Sequence, residues 1–469
     1  MGEMMKFGLM VSTAAVLMAP MAAQAGPDSE SLFSRDRNIS VLERPREGYE
    51  PLGIRTGQFI VRPRMDITAA YTDNVFSISD DVVAAFPGFA PFADQDDLYF
   101  IFRPSVVAES DWNNHSVRSG AYLEGFHHLD FDNENVTNGG LFVDGTLDVY
   151  TNVMLMAGLS FDLLHESRDN SFQPNILTPL VGSSNGTLEE PVEYERTNLY
   201  VGGQQELGRV RYRGRVDFRS YDYDDADSVT GFSTPRNQQF RDRNEYIAMG
   251  QVGWALTRDA SVFLRGTYNV RDHDIDGNGF GAGGLNRDSS GWAMLLGFDF
   301  DISKLLRGNL GIGYMEQEFD DTELPNGGGS LAGTSIDGIS FDGGIEWFPT
   351  EMTTIGLSAK RAIRDSQLFE AVGFTAEEFG VRVDHELRRN IVLSASVTAG
   401  RDEYEGIDLD YDRIEYGVGG TYFINRTLRA NLNFTHESQE AGDFLVNGNP
   451  GFAREFERNQ VFLTLTAQR

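Results

Sequence analysis

The chain has 469 residues, 39 Lys and Arg against 71 Asp and Glu, a formal net charge of −32 and no cysteine. An acid excess of this size excludes the basic footprint that a nucleic-acid partner needs, and the missing thiols exclude disulfides, thiolate nucleophiles and thiolate metal sites.

At the N-terminus stand Lys6, an apolar run from Phe7 to Pro20, and then Ala23, Gln24 and Ala25. This order matches a secretory signal peptide spanning residues 1–25, cut before Gly26. Beyond it no apolar stretch is long enough for a spanning helix, whereas barrel strands need only one apolar face. Pro45, Pro51 and Pro63 disfavour a regular helix or a central strand. Residues 26–57 are therefore predicted to form an extended periplasmic arm, or a strap lying in the mouth of a barrel.

From residue 58 to 469 one unit recurs, an amphipathic strand, a tight polar turn and a second amphipathic strand. The turns fall near Asn113, Asn152, Gly208, Arg258, Lys304, Thr350, Arg389 and Asn425, at intervals of 36–56 residues. Each interval holds two strands of about 9–13 residues and one longer loop. With the alternating segments Phe59–Tyr71 and Glu455–Thr466 at the ends, the count is 18 strands. The predicted fold class is all-β, a transmembrane antiparallel up-and-down β-barrel with short periplasmic turns and long outer loops.

Successive strand side chains face opposite ways, so the faces can be read directly. Between Gly291 and Ile302 the stripe Trp292, Met294, Leu296, Phe298, Phe300 and Ile302 opposes Gly297, Asp299 and Asp301. Leu428, Ala430, Leu432 and Phe434 oppose Arg429, Asn431, Asn433 and Thr435. Around Ser261–Arg271 the split is Val262, Leu264, Tyr268 and Val270 against Arg265, Thr267, Asn269 and Arg271, with Phe263 as the exception. In a barrel the apolar face meets lipid and the polar face lines the lumen. Tyr221 and Tyr223, Trp347 and Phe348, and Tyr422 and Phe423 are placed where interfacial girdles belong.

Arg209, Arg211, Arg213 and Arg215 alternate with Val210, Tyr212, Gly214 and Val216. Four guanidinium groups would then share one lumen face, joined on other strands by Arg265, Arg271, Asp299, Arg382, Asp384, Glu386 and Arg429. Such a ladder can steer or bind anionic groups, uronic acids, sulfates or phosphates on a polymer among them. Equally, it can pair with carboxylates on adjacent strands and stiffen the wall. Acidic runs at Asp222, Asp224, Asp225 and Asp227, and at Asp402, Glu403, Glu405, Asp408, Asp410 and Asp412, are assigned to solvated outer loops.

Asp272, Asp274, Asp276 and Gly277 imitate the start of a calcium loop, yet position twelve is Gly283 where a bidentate Glu is required. No zinc spacing or nucleophile elbow is present, and His127 and His128 would point to opposite faces of a strand. Neither a cofactor, a metal nor an enzymatic activity is therefore expected. The chain closes on Phe462 and a short tail to Arg469 rather than on a terminal aromatic; Phe462 is expected to serve in its place.

The segment before the first strand reads VLERPREGYEPLGIR from Val41 to Arg55, with Arg44, Pro45, Arg46, Tyr49, Pro51, Leu52 and Gly53. The first strand then ends in Tyr71, Asp73, Asn74, Val75 and Phe76. This opening resembles the putative β-barrel porin 2 family, outer-membrane barrels associated with exopolysaccharide and capsule export clusters. The resemblance implies a passive conduit in the bacterial outer membrane, an anionic polysaccharide as cargo and periplasmic polysaccharide-export proteins as partners. From the residues alone, a general or substrate-selective porin for small solutes and a barrel enzyme stand as the alternatives.

Overall fold

Each of eighteen strands pairs antiparallel with its neighbours in sequence, and the last pairs with the first (Arg64 opposite Gln468 to Thr72 opposite Gln460). The structure, a computed structural model, describes residues 39–80, 95–168, 190–226, 238–274, 287–302, 305–320, 335–366, 373–405, 409–442, 445–446, 449–450 and 455–469. The strands are β1 (Phe59–Thr72), β2 (Asp97–Ser110), β3 (His115–His128), β4 (Thr137–Tyr150), β5 (Val153–His165) and β6 (Glu193–Leu207). Next come β7 (Val210–Tyr223), β8 (Arg243–Ala255), β9 (Ala260–His273), β10 (Ser289–Ile302), β11 (Leu306–Phe319) and β12 (Ser335–Thr350). The circle is completed by β13 (Thr353–Asp365), β14 (Gly373–Arg388), β15 (Ile391–Glu405), β16 (Asp410–Phe423), β17 (Leu428–Ala441) and β18 (Phe456–Gln468). Closure leaves the eighteen-stranded wall without an open edge, the condition under which a sheet can cross lipid. Among the described residues no helix is long and apolar enough to cross a membrane.

Burial is inverted relative to a water-soluble protein. Leu123, Leu141, Leu296, Ile312, Val418 and Leu432 are more than half exposed, while Glu124, Asp162, Gln251, Arg265, Asp299 and Asp402 are buried. The apolar stripe of every strand thus faces outward and the polar stripe lines the interior, as the period of two predicts. Outward-facing aromatics form two belts. Tyr212, Trp254, Trp347 and Tyr422 lie toward the short-turn end, and Tyr71, Tyr246, Tyr268, Trp292 and Tyr314 toward the loop end. Leu296, 63% exposed near the middle of β10, gives the direct test. Leu296→Arg is expected to cost about 2–4 kcal/mol, the penalty for a charge near the bilayer midplane. Urea unfolding in lipid vesicles measures it, and an unchanged stability would place this face away from lipid.

Among the described residues the short turns fall where the sequence puts them, and the turn near Lys304 lies outside the described residues. Gly208 (φ +65) opens the two-residue turn between Leu207 and Val210, and Gly57 (φ +61) makes a second between Thr56 and Phe59, which join a short strand, Ile54–Thr56, to β1. Both turns need a positive φ at their first central position, which glycine adopts without strain. Register shifts occur in β4 between Asp148 and Tyr150, in β12 between Trp347 and Thr350, and in β14 between Glu386 and Arg388, each just before a short turn.

Several expectations change. Pro63 lies inside β1, opposite Val106, because the ladder toward β18 begins only at Arg64 and requires no donor from it. Phe263, by contrast, is the exception that its parity makes it: it points inward with Ser261 and Arg265 and is 3% exposed, and its ring lies over Gly297, where any side chain would collide with it. Tyr221 and Tyr223 are not girdle residues but pack inward against Tyr194. Phe348 and Phe423 also face inward, leaving Trp347 and Tyr422 to the belt. Phe462 does not replace a terminal aromatic at the lipid boundary. It is buried inside against Ala70, Tyr99 and Ile101, while Val461, Leu463 and Leu465 face out. Finally, Asp222 belongs to β7, Asp402, Glu403 and Glu405 to β15, and Asp410 and Asp412 to β16. Asp402 is fully buried and accepts a hydrogen bond from Arg413 at 3.0 Å. Asp227, Asp408 and the calcium-like run beyond Asp274 lie outside the described residues.

Candidate functional site

The interior wall is an array of guanidinium–carboxylate pairs set by strand alternation. On β7, Arg211, Arg213 and Arg215 face inward together with Asp217, whereas Arg209 occupies the turn and is exposed, so the ladder has three rungs on the wall rather than four. Arg211 pairs with Glu206. Arg213 is 6% exposed beside Gln204 and Gln251. Arg215 grips Asp217 through Nε (2.8 Å) and Nη2 (2.6 Å) and stacks on the Tyr200 ring at 4.0 Å.

The other lumen candidates follow the same logic. Arg265 donates from Nε to Gln251 (3.0 Å) and from Nη1 to Asp342 (3.1 Å), which belongs to a strand three places along the sheet. Arg271 donates to the Ile363 carbonyl (3.3 Å), Ser261 donates to Asp299 (3.1 Å), and Arg382 binds Asp384 through Nε at 2.9 Å. Glu386 stands between Arg44 and Arg46 (3.7 and 4.0 Å). Arg429 differs from all of these: among the described residues it has no hydrogen bond and no ion pair. Paired guanidinium groups are both wall struts and fixed charges facing water.

At the short-turn end, residues 40–49 lie across the mouth. The Val41 amide donates to Thr354 Oγ1 at 2.9 Å, Arg44 donates to the Glu351 carbonyl, and Arg307 Nη2 donates to Glu43 at 2.8 Å. Arg46 stacks on Phe423 at 4.8 Å, and Tyr49 meets the same ring edge-on at 6.3 Å. Val41 is fully buried. The Arg44, Pro45 and Arg46 motif is thereby part of a strap that touches β11, β13, β14, β16 and the turn at Glu351.

The second half of the family-like motif works at the opposite end. Asp73 accepts both the amide and the side-chain Nδ2 of Asn459 at 2.7 Å. Asn74 donates to the Ile78 and Glu457 carbonyls, both at 2.9 Å, and accepts the Ile78 amide at 3.1 Å. This clamp turns the chain inward and holds Ser77 at φ +50, with Arg458 Nη1 on its hydroxyl at 3.3 Å. Phe76 packs edge-on against Phe131 at 4.9 Å. Tyr71 faces outward at the belt.

Sequence reasoning missed the buried ion pairs that join the described segments at this loop end. Arg241 binds both oxygens of Glu166, at 3.0 Å through Nη1 and through Nη2, and Arg168 binds both oxygens of Glu134 at 3.1 and 2.6 Å. All four side chains are at most 5% exposed. Arg241 also lies over Tyr223 at 4.0 Å. Next to it, burial pushes the Asp242 carboxyl up to about 6, reinforced by Asp222 and Asp274 and partly offset by the Tyr223 amide that donates to it. Above that value the ionised carboxylate weakens the packing of its segment; as pH falls through it, protonation removes the penalty. Single-channel current is therefore expected to fall between pH 7 and pH 5, and Asp242→Asn to abolish that step. An unaltered step in the variant would assign it elsewhere.

A family model described as putative beta-barrel porin 2 matches residues 46–469. Among solved structures, the chain is similar to the ferric enterobactin receptor PfeA of Pseudomonas aeruginosa in complex with BCV-L6, at 8% identity, covering 87% of this chain and 81% of that one with a TM-score of 0.45. It is also similar to the copper transporter OprC (10% identity, 89% and 81% covered, TM-score 0.44). A third is the ferric-catecholate import receptor Fiu of E. coli K12 (10% identity, 87% and 81% covered, TM-score 0.42). No curated protein matches the sequence.

Proposed function

The chain belongs to the putative β-barrel porin 2 family, and on that footing we propose that it is a passive conduit of the bacterial outer membrane whose cargo is an exported exopolysaccharide or capsular polysaccharide. One observation carries this reading: the wall presents alternating guanidinium and carboxylate groups from β7 around to β17, a surface that hydrogen-bonds hydroxyls and acidic substituents along a polymer. Arg215 and Arg382 each stand beside an acid partner on the lumen face, so a chain of sugars would exchange one hydrogen bond for another as it moves. The chemistry is transport rather than catalysis, and no cofactor or metal enters it. Periplasmic export proteins are the partners that this reading assigns to the strap end.

Inward folding of the first outer loop at Asn74 to Ile78 favours a second reading, a porin for small solutes. Deleting the gene and quantifying secreted and capsular polymer, with conductance of the purified barrel in planar bilayers alongside, separates the two. Export predicts lost polymer with an intact outer membrane. Unchanged polymer together with robust open-channel current would leave the solute porin.

A further inference from the structure

We propose that Arg429 and Arg64 form an oxyanion-binding subsite inside the short-turn mouth, which takes the acidic group, a carboxylate or sulfate, of the saccharide that enters there. Arg429 is the second residue of β17 and faces the lumen. In register it lies opposite Thr466 of β18, which lies opposite Asp66 of β1, so β17 and β1 flank the site at about 10 Å, two inter-strand spacings. Arg64 stands two residues nearer the mouth on β1, and its charge acts on Arg429. A free carboxylate that could neutralise the pair is missing among the described residues. Asp66 is already held by Arg64 Nε at 2.7 Å and by the Thr466 hydroxyl at 2.5 Å.

Two features mark this as a place for a ligand rather than a wall strut. The other inward-facing candidates, Arg211, Arg215, Arg265, Arg271 and Arg382, each have a carboxylate or carbonyl partner, and Arg429 alone of that set does not. It is nevertheless only half-buried on the lumen side, so its side chain keeps donors that no protein group among the described residues takes up. In addition, its register partner toward β16 is Phe423, the ring on which Arg46 of the strap stacks, so a third guanidinium overlooks the same quarter of the mouth. Below lie the exposed turn residues Arg389 and Arg426. Arg429 and Arg64, with Asp66 already occupied and Arg46 held by Glu386 nearby, are best satisfied by a bidentate oxyanion.

The subsite deepens the conduit reading and rests on it for the identity of the saccharide; binding and conductance are therefore measured separately. Calorimetry on the full-length barrel in detergent uses trigalacturonate, inorganic sulfate and neutral maltotriose as probes. Trigalacturonate is expected to bind the native protein. Arg429→Gln should weaken it about tenfold or more, the loss of one charge-assisted bidentate contact. Arg429→Lys, which keeps the charge, should recover part of the affinity, and Arg389→Gln should leave it unchanged. Sulfate binding of similar sensitivity would extend the site to sulfated sugars. Equal binding of maltotriose, no binding of either anion, or indifference to Arg429→Gln in a barrel that still shifts its gel mobility on heating would each overturn the proposal. A native barrel that binds trigalacturonate but carries no current would instead refute the conduit reading alone.

Discussion

Arg241→Ala is expected to open the outer mouth and to raise the open-state occupancy of the channel. The guanidinium is 2% exposed, satisfies both oxygens of Glu166 and covers the Tyr223 ring. Truncating it takes from the buried Glu166 the guanidinium that binds both of its oxygens, a loss of about 3–5 kcal/mol when one partner of a buried pair is removed. The stretch from Glu166 to Arg168 and the turn at Gln238 to Asp242 should therefore leave the mouth for most of the time, a shift on the order of a hundredfold or more in the open-to-closed ratio. Single-channel recording reads it as longer open dwell times. A double change, Glu166→Leu with Arg241→Met, removes both charges and should restore much of the closure, because an apolar pair of similar volume carries no desolvation penalty. If the single variant gated like the native protein, these two residues would not hold the mouth.

The second large effect is expected from Glu386→Gln at the other end. Glu386 is 7% exposed and is the carboxylate that Arg44 and Arg46 of the strap share. Its neutral isostere takes away the carboxylate that both neighbouring cations face, and burial makes that unfavourable by about 1–3 kcal/mol. The remaining anchors are the Val41 amide on Thr354, Arg44 on the Glu351 carbonyl, Glu43 on Arg307 and the stack on Phe423. Tryptic cleavage after Arg46 should accelerate at least tenfold in proteoliposomes that expose the short-turn end, and larger oligosaccharides should enter in swelling assays. Cleavage at the native rate would show that the remaining anchors suffice.

Much of this architecture can be read from residues because a strand's side chains alternate strictly. Trp292 to Ile302 and Leu428 to Thr435 have the faces that alternation assigns, and the turns at Asn152, Gly208, Arg389 and Asn425 join the strands they were expected to join. Alternation gives a face but not a height or a neighbour. Tyr221 and Tyr223 sit on the inward parity of β7, so their aromatic character pointed to a belt while their parity pointed to the interior; parity prevailed. Phe462 repeats the lesson on β18. The outer-mouth pairs could not be read at all. Glu166 and Arg241 are 75 residues apart and Glu134 and Arg168 are 34 apart, on segments that meet only because the barrel has closed beneath them.

The family-like residues near the N-terminus divide between the two ends of the molecule. Arg44 and Arg46 hold the strap at one mouth, and Asp73 and Asn74 fold the first loop into the other and fasten it to β18. A motif continuous in sequence thus borders both openings because one strand, β1, spans the wall between its halves.

That same strand sets when the molecule can be finished. β1 meets β18 through Thr68 on Thr464 at 2.8 Å and Thr466 on Asp66, contacts between residues 396 and 400 positions apart, whereas each other hairpin is local. Loop-closure entropy makes such a long-range pairing the last and slowest to form. Until it forms, the growing sheet carries two unpaired edges, so assembly in the membrane passes through an open, curling ribbon whose final step is all-or-none. A substitution at Thr68 or Thr464 would accordingly be seen in the yield of sealed barrels sooner than in the properties of those that had sealed.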